Sequence, residues 1–107
     1  MGFCYDSCHH ANFAPDIDLL GKYGDRLLAL HLQDNGGRNN QHQLPFDGNI
    51  DWECVMKKID LTGYSGATAL EPMNWEYEDL KIEGFVHRAH EAAVRLDGMR
   101  NVLKCRE

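Results

Sequence analysis

The chain has 107 residues, 43% hydrophobic and 26% charged, with a formal net charge of −6 at pH 7. That length allows one domain with a modest core, and acidity with scattered Lys and Arg argues against a nucleic-acid surface, which needs clustered positive charge. No apolar stretch nears the ~20 residues that span a bilayer and no signal-peptide pattern appears, so no membrane role, a cytoplasmic location and reduced thiols at Cys4, Cys8, Cys54 and Cys105 are expected.

The first apolar run is Gly2-Phe3-Cys4-Tyr5, ending on Asp6. Four residues are too short for a helix and suit a buried strand. Pro15 to Tyr23 is predicted as a short helix, with Leu19, Leu20 and Tyr23 on one face and Gly24 as its stop. A second run, Leu27-Leu28-Ala29-Leu30, ends on His31. The long connection from Leu32 to Ile50 is expected to face a substrate, with Arg38 a candidate contact for a sugar or phosphate oxygen. Asp51 reads as the N-cap of a helix in which Trp52, Val55, Met56 and Ile59 share a face, with Gly63 just past its end. The third run, Ala67-Thr68-Ala69-Leu70, ends on Glu71. A last helix is predicted from about Glu78 to Leu96, its stripe made by Ile82, Phe85, Ala89, Ala93 and Leu96, with Asp97 to Glu107 fraying or extending it.

Strand and helix alternating three times is the order of βαβ units, which build parallel sheets. If Asp6, His31 and Glu71 share a face, alternation puts the small or modest Cys4, Leu27, Ala29, Ala67 and Ala69 beneath them. Phe3, Tyr5, Leu28, Leu30 and Leu70 then face the helices. A barrel fits this division better than an open doubly wound sheet. Function in parallel α/β folds collects at the carboxyl ends of strands, and neighbouring strands ~4.8 Å apart can bring three such ends to one ion. One Asp, one His and one Glu suit Mn²⁺, Co²⁺, Fe²⁺, Zn²⁺ or Mg²⁺, and the lack of thiolate disfavours a structural zinc site. The plainer alternative is that strands simply end on polar residues at a surface.

The segments Gly2 to His9, Leu30 to Asn35, Gln41 to Trp52 and Leu70-Glu71-Pro72 resemble the xylose isomerase-like superfamily of barrels, which includes sugar isomerases and epimerases, inosose dehydratases and apurinic endonucleases. The resemblance covers nearly the whole chain and implies an α/β fold: residues 1–107 as a partial domain, the last three βα units, with parallel strands, of a TIM (β/α)8 barrel. It further implies that Asp6, His31 and Glu71 are metal ligands, that Glu71 is also catalytic in moving a proton, and that His9 holds substrate hydroxyls. A further liganding glutamate would end a preceding strand outside these residues. His42 matches the histidine of an Asp-x-His pair that binds an extra zinc in the endonucleases. Asn40 stands where the Asp would be, so His42 is read as a substrate contact.

The function expected is a divalent-metal-dependent (Mn, Mg, Co or Zn) isomerase or epimerase of a small-molecule sugar or sugar phosphate, working through an enediolate. The alternatives are a multi-zinc endonuclease-like phosphodiesterase or a non-catalytic remnant. Because an eight-unit barrel takes ~250 residues, this chain alone is expected to be inactive and to self-associate through its open strand edges. Cys4-x3-Cys8-His9-His10 lacks a second ligand pair at finger spacing, His10 is read as a loop residue, and His87 with His90 reads as an exposed helical pair. Gly36-Gly37 precedes no helix and is not a phosphate loop.

Overall fold

A computed structural model describes residues 2–37 and 41–105. Its elements in chain order are β1 (Phe3–Asp6), α1 (Ser7–Phe13), α2 (Leu19–Tyr23), β2 (Leu27–His31), α3 (Trp52–Leu61) and α4 (Ile82–Cys105). Short 3-10 turns lie at Gly24–Arg26 and Asn74–Glu76.

β1 and β2 pair in parallel, with Cys4 opposite Ala29, Tyr5 opposite Leu30 and Asp6 opposite His31. The register slips between Phe3 and Cys4, since Phe3 pairs with Leu27. That slip corrects the expected strand faces. Leu27 turns into the core beside Leu30, while Leu28 is 73% exposed. An irregularity adds one unpaired residue and so shifts the phase of alternation on either side of it.

The third run also departs from expectation. Ala67 to Leu70 forms no continuous strand and touches the sheet through one parallel bridge, Leu32 with Leu70. The bonds of that bridge are Leu32 N–H to Ala69 O, 2.9 Å, and Glu71 N–H to Leu32 O, 2.9 Å. Upstream, side chains take the groups a ladder would use. The Tyr64 hydroxyl donates to Ala67 O (2.9 Å), and the buried Arg100 guanidinium donates to Tyr64 O, Gly66 O and the Thr68 hydroxyl at 2.8–2.9 Å.

Helix α1, where the sequence predicts a loop, starts directly after β1, because the Asp6 carboxylate caps it by accepting from His9 N–H at 2.9 Å. His10 lies on this helix, bonded to Tyr5 Oη at 2.6 Å and Ile17 O at 2.7 Å. α2 occupies only the last part of the predicted Pro15–Tyr23 helix, and Asp18 caps it. α3 begins after the expected cap Asp51, which accepts from Cys54 N–H at 3.2 Å. It ends at Gly63, whose φ of +80° suits a residue without Cβ. α4 starts four residues later than predicted; Ile82 is 63% exposed, and the buried stripe runs through Ala92, Leu96 and Arg100.

The core joins the helix-facing side of the sheet to α3 and α4. Tyr5, Leu27, Leu30 and Leu32 meet Leu20, Trp52, Met56, Ile59 and Leu96. Burying each such side chain is worth about 1.5–3 kcal/mol, which fixes the sheet against its helices and holds the strand ends at one level. No described helix is long and apolar enough to cross a membrane.

Candidate metal centre

Parallel pairing puts Asp6 and His31 side by side at the carboxyl end of the sheet. The Leu32–Leu70 bridge then seats Glu71 beside them. His31 Nδ1 lies 3.2 Å from Glu71 Oε2. One ligand atom from each of Asp6, His31 and Glu71 lies within 4.8 Å of the other two. Donors sharing one ion with bonds of 2.0–2.2 Å are at most ~4.4 Å apart, so closing by a few tenths of an ångström would let the set grip an ion. Two carboxylates and an imidazole form a donor set suited to a divalent cation, and these residues therefore fit one.

The surroundings hold the donors in place. Asp6 Oδ1 caps α1, and Asp6 Oδ2 lies 3.0 Å from His9 Nδ1. His9 stacks on Phe13, with ring centroids 5.9 Å apart, and meets His42 edge-on at 5.9 Å. His42 in turn meets Trp75 edge-on at 5.7 Å, and its Nδ1 lies 3.8 Å from Glu71 Oε1. His42 sits in the left-handed region at φ +48°, which costs a non-glycine residue about 1–2 kcal/mol. The Asp34–Gln43 backbone bridge and the Met73 N–H to His42 O bond (2.8 Å) hold it there. Of the residues singled out in the sequence, Asp6, His9, His31, His42 and Glu71 come together; Arg38 and Asn40 lie outside the described residues.

Three residues that the sequence reading did not single out organise this end of the sheet. Gln33, fully buried, has its amide nitrogen 3.3 Å from both Asp6 Oδ2 and Glu71 Oε1. Ser7 clamps the Gln33 backbone, its hydroxyl donating to Gln33 O (2.6 Å) and accepting from Gln33 N–H (3.0 Å). Asp34, also fully buried, accepts from the N–H groups of Asn35, Phe46 and Ile50 and from the Trp52 indole at 2.7–3.0 Å. The visible signal was only the polar pair Gln33-Asp34 directly after an apolar strand.

Other candidates do not form sites. Cys8 is fully buried, and its Sγ accepts from Asn35 and Asn12, while Cys4 lies on the exposed face of β1. Desolvation, and then the charges of Asp6 and Glu71, push the Cys4 thiol up from its ordinary range, so it stays protonated. His87 pairs with Glu91 at 2.7 Å on an exposed turn of α4.

Residues 1–99 match the family model described as the xylose isomerase-like TIM barrel. The chain is 39% identical over 100 residues to an uncharacterised protein of Sinorhizobium fredii, covering 92% of this chain and 32% of that one. An uncharacterised protein of Methanocaldococcus jannaschii is 30% identical over 78 residues, covering 69% of this chain and 26% of its own length. Fructoselysine 3-epimerase of Shigella flexneri is 32% identical over 57 residues, 53% of this chain and 21% of the epimerase. The chain thus spans about a third or less of these relatives. No solved structure matches it. The strand-end cluster and the match along residues 1–99 agree: the chain belongs to the xylose isomerase-like TIM barrel family.

Proposed function

We propose that this chain carries three metal ligands of a divalent-metal-dependent sugar isomerase or epimerase, and forms the last three βα units of its barrel. The convergence of Asp6, His31 and Glu71 within 4.8 Å carries this reading, and the similarity to a fructoselysine 3-epimerase supports a sugar substrate. A bound divalent ion would supply positive charge beside a substrate carbonyl and its neighbouring hydroxyl, favouring loss of the intervening proton to give an enediolate. Asp6 and His31 hold that ion. Glu71, whose side chain is 36% exposed, also takes and returns the proton at a carboxylate oxygen. His9 and His42 hold substrate hydroxyls from the side of Asp6 and Glu71, and Arg38, outside the described residues, is assigned to a sugar or phosphate oxygen.

In this reading the working enzyme also uses a glutamate from a preceding strand, and these 107 residues alone are inactive. The exposed face around Cys4 and Leu28 is where the other strands of the barrel would pack, and self-association covers it when they are absent. The protein acts in the cytoplasm. Incubating the whole enzyme with Mn²⁺ and a panel of ketoses and aldoses, beside an abasic DNA duplex, tests the reading. Sugar interconversion with exchange of a substrate C–H proton for solvent deuterium is expected. Cleavage of the duplex without sugar conversion would overturn it.

A further inference from the structure

Gln33 has no charge to offer a metal and no exposure to offer a substrate, yet it sits where the site's acceptors converge. Its Nε2 lies 3.3 Å from Asp6 Oδ2, 3.3 Å from Glu71 Oε1 and 3.0 Å from His42 Nδ1. We propose that Gln33 is a positioning residue that sets both carboxylate ligands and the tautomer of His42 before an ion or substrate arrives. This inference rests on the metal-centre reading above.

The residue type suits the role. Asp6 and Glu71 repel each other when ionised, and a buried amide donor placed between them relieves that repulsion without adding charge. A lysine or arginine here would repel the cation, and a glutamate would add a third negative charge. Glu71 presents Oε2 to His31 and Oε1 to Gln33, so the amide fixes which oxygen faces the other donors. An amide nitrogen only donates, so the 3.0 Å contact with Gln33 makes the Nδ1 of His42 an acceptor, in preference to the longer 3.4 Å contact in which Nδ1 would donate to Glu71 O. Neutral His42 then carries its hydrogen on Nε2, leaving a donor suited to a hydroxyl or carbonyl oxygen.

The amide has two hydrogens for three acceptors, and its placement relies on the backbone. Ser7 bonds both Gln33 O and Gln33 N, and its hydroxyl also approaches Gln33 Oε1 at 3.3 Å. With Oε1 turned to Ser7, Nε2 faces the carboxylates. Partners of this kind behind metal ligands change metal affinity about 10–100-fold when removed.

The test is Mn²⁺ titration of the chain, read by the electron paramagnetic resonance of free Mn²⁺, for wild type, Gln33→Met and Gln43→Met. Gln43 is a glutamine of the same loop whose buried side-chain oxygen has no partner among the described residues. Ring ¹⁵N shifts of His42 supply a second readout that loss of packing alone would not move. The expected result is at least tenfold weaker Mn²⁺ binding in Gln33→Met, unchanged binding in Gln43→Met, and loss of the single His42 tautomer in Gln33→Met. If Gln33→Met does not fold, Ser7→Ala, which removes the clamp and leaves the amide, should show the weaker binding and mixed tautomer. Equal Mn²⁺ affinity in wild type and the folded variant, or an unaltered His42 tautomer, overturns the inference while leaving the metal centre standing. Absence of Mn²⁺ binding by wild type overturns the metal centre itself, and this inference with it.

Discussion

Replacing Asp34 with Asn should unfold the loop that carries His42 at lower denaturant than wild type, although the two side chains have nearly the same shape. Asp34 Oδ1 accepts from Asn35 N–H and Ile50 N–H, and Oδ2 accepts from Phe46 N–H and the Trp52 indole. An asparagine has one acceptor oxygen, so either orientation aims its NH2 at two N–H donors. A buried donor left unsatisfied costs about 1–3 kcal/mol. Trp52 is 3% exposed and cannot turn to water, whereas Phe46 and Ile50 are only partly buried and recover some solvation. The expected loss is therefore about 2–4 kcal/mol, a large share of the 5–15 kcal/mol typical of a domain. Urea unfolding followed by Trp fluorescence measures it. A loss below about 0.5 kcal/mol, within the range of ordinary surface changes, would show that Asp34 does not organise this loop.

Gly48→Ala should be destabilising as well, since a Cβ there would lie 2.5 Å from Asp34 Oδ1 and 2.6 Å from Asn35 O; thermal unfolding checks it. Arg100→Met should lower stability by about 3–5 kcal/mol, because it removes the buried cation 3.7 Å from the Asp60 carboxylate together with its bonds to Gly66, Thr68 and Tyr64. Wild-type stability in that comparison would mean the Arg100 bonds to Tyr64, Gly66 and Thr68 are not needed to seat Glu71. The Tyr5 phenol is pushed up by burial and next by the Asp6 charge, and the Tyr77 phenol by burial and then its bond to Asp47. Both stay protonated in the folded chain above the usual ~10. The stability they contribute is full below that pH and is lost as pH rises beyond it. Absorbance titration should show these two tyrosines ionising together with unfolding, and Tyr5→Phe and Tyr77→Phe should each lessen the alkaline loss.

The ends of the three apolar runs were legible because each run stops on a group that is costly to bury, and Asp51 with Gly63 marked α3 by ordinary capping chemistry. α1 was hidden because its seven residues carry no hydrophobic stripe, and Asp6, read as a ligand, is also its cap. The shortfall of the third strand depends on Arg100, more than thirty residues further on, reaching back to carbonyls at Tyr64 and Gly66. Local pattern cannot show such a contact. The exposure of Leu28 follows from a register slip set by pairing with β1 rather than by β2 itself. Gln33 and Asp34 look like loop residues in one dimension. Their roles appear only when Ser7, Glu71 and Trp52 are brought around them.

Calorimetric titration of the chain with Mn²⁺, set against Asp6→Asn, His31→Ala and Glu71→Gln, decides whether the strand ends form one metal centre. Asp6→Asn keeps an acceptor for the α1 cap and Glu71→Gln keeps the side chain's length, so lost binding reports the donors rather than the fold. One ion per chain is expected for wild type, with affinity reduced at least tenfold in every variant while the unfolding temperatures of Asp6→Asn and Glu71→Gln stay close to wild type. Equal affinity in all four proteins would contradict a centre built by Asp6, His31 and Glu71.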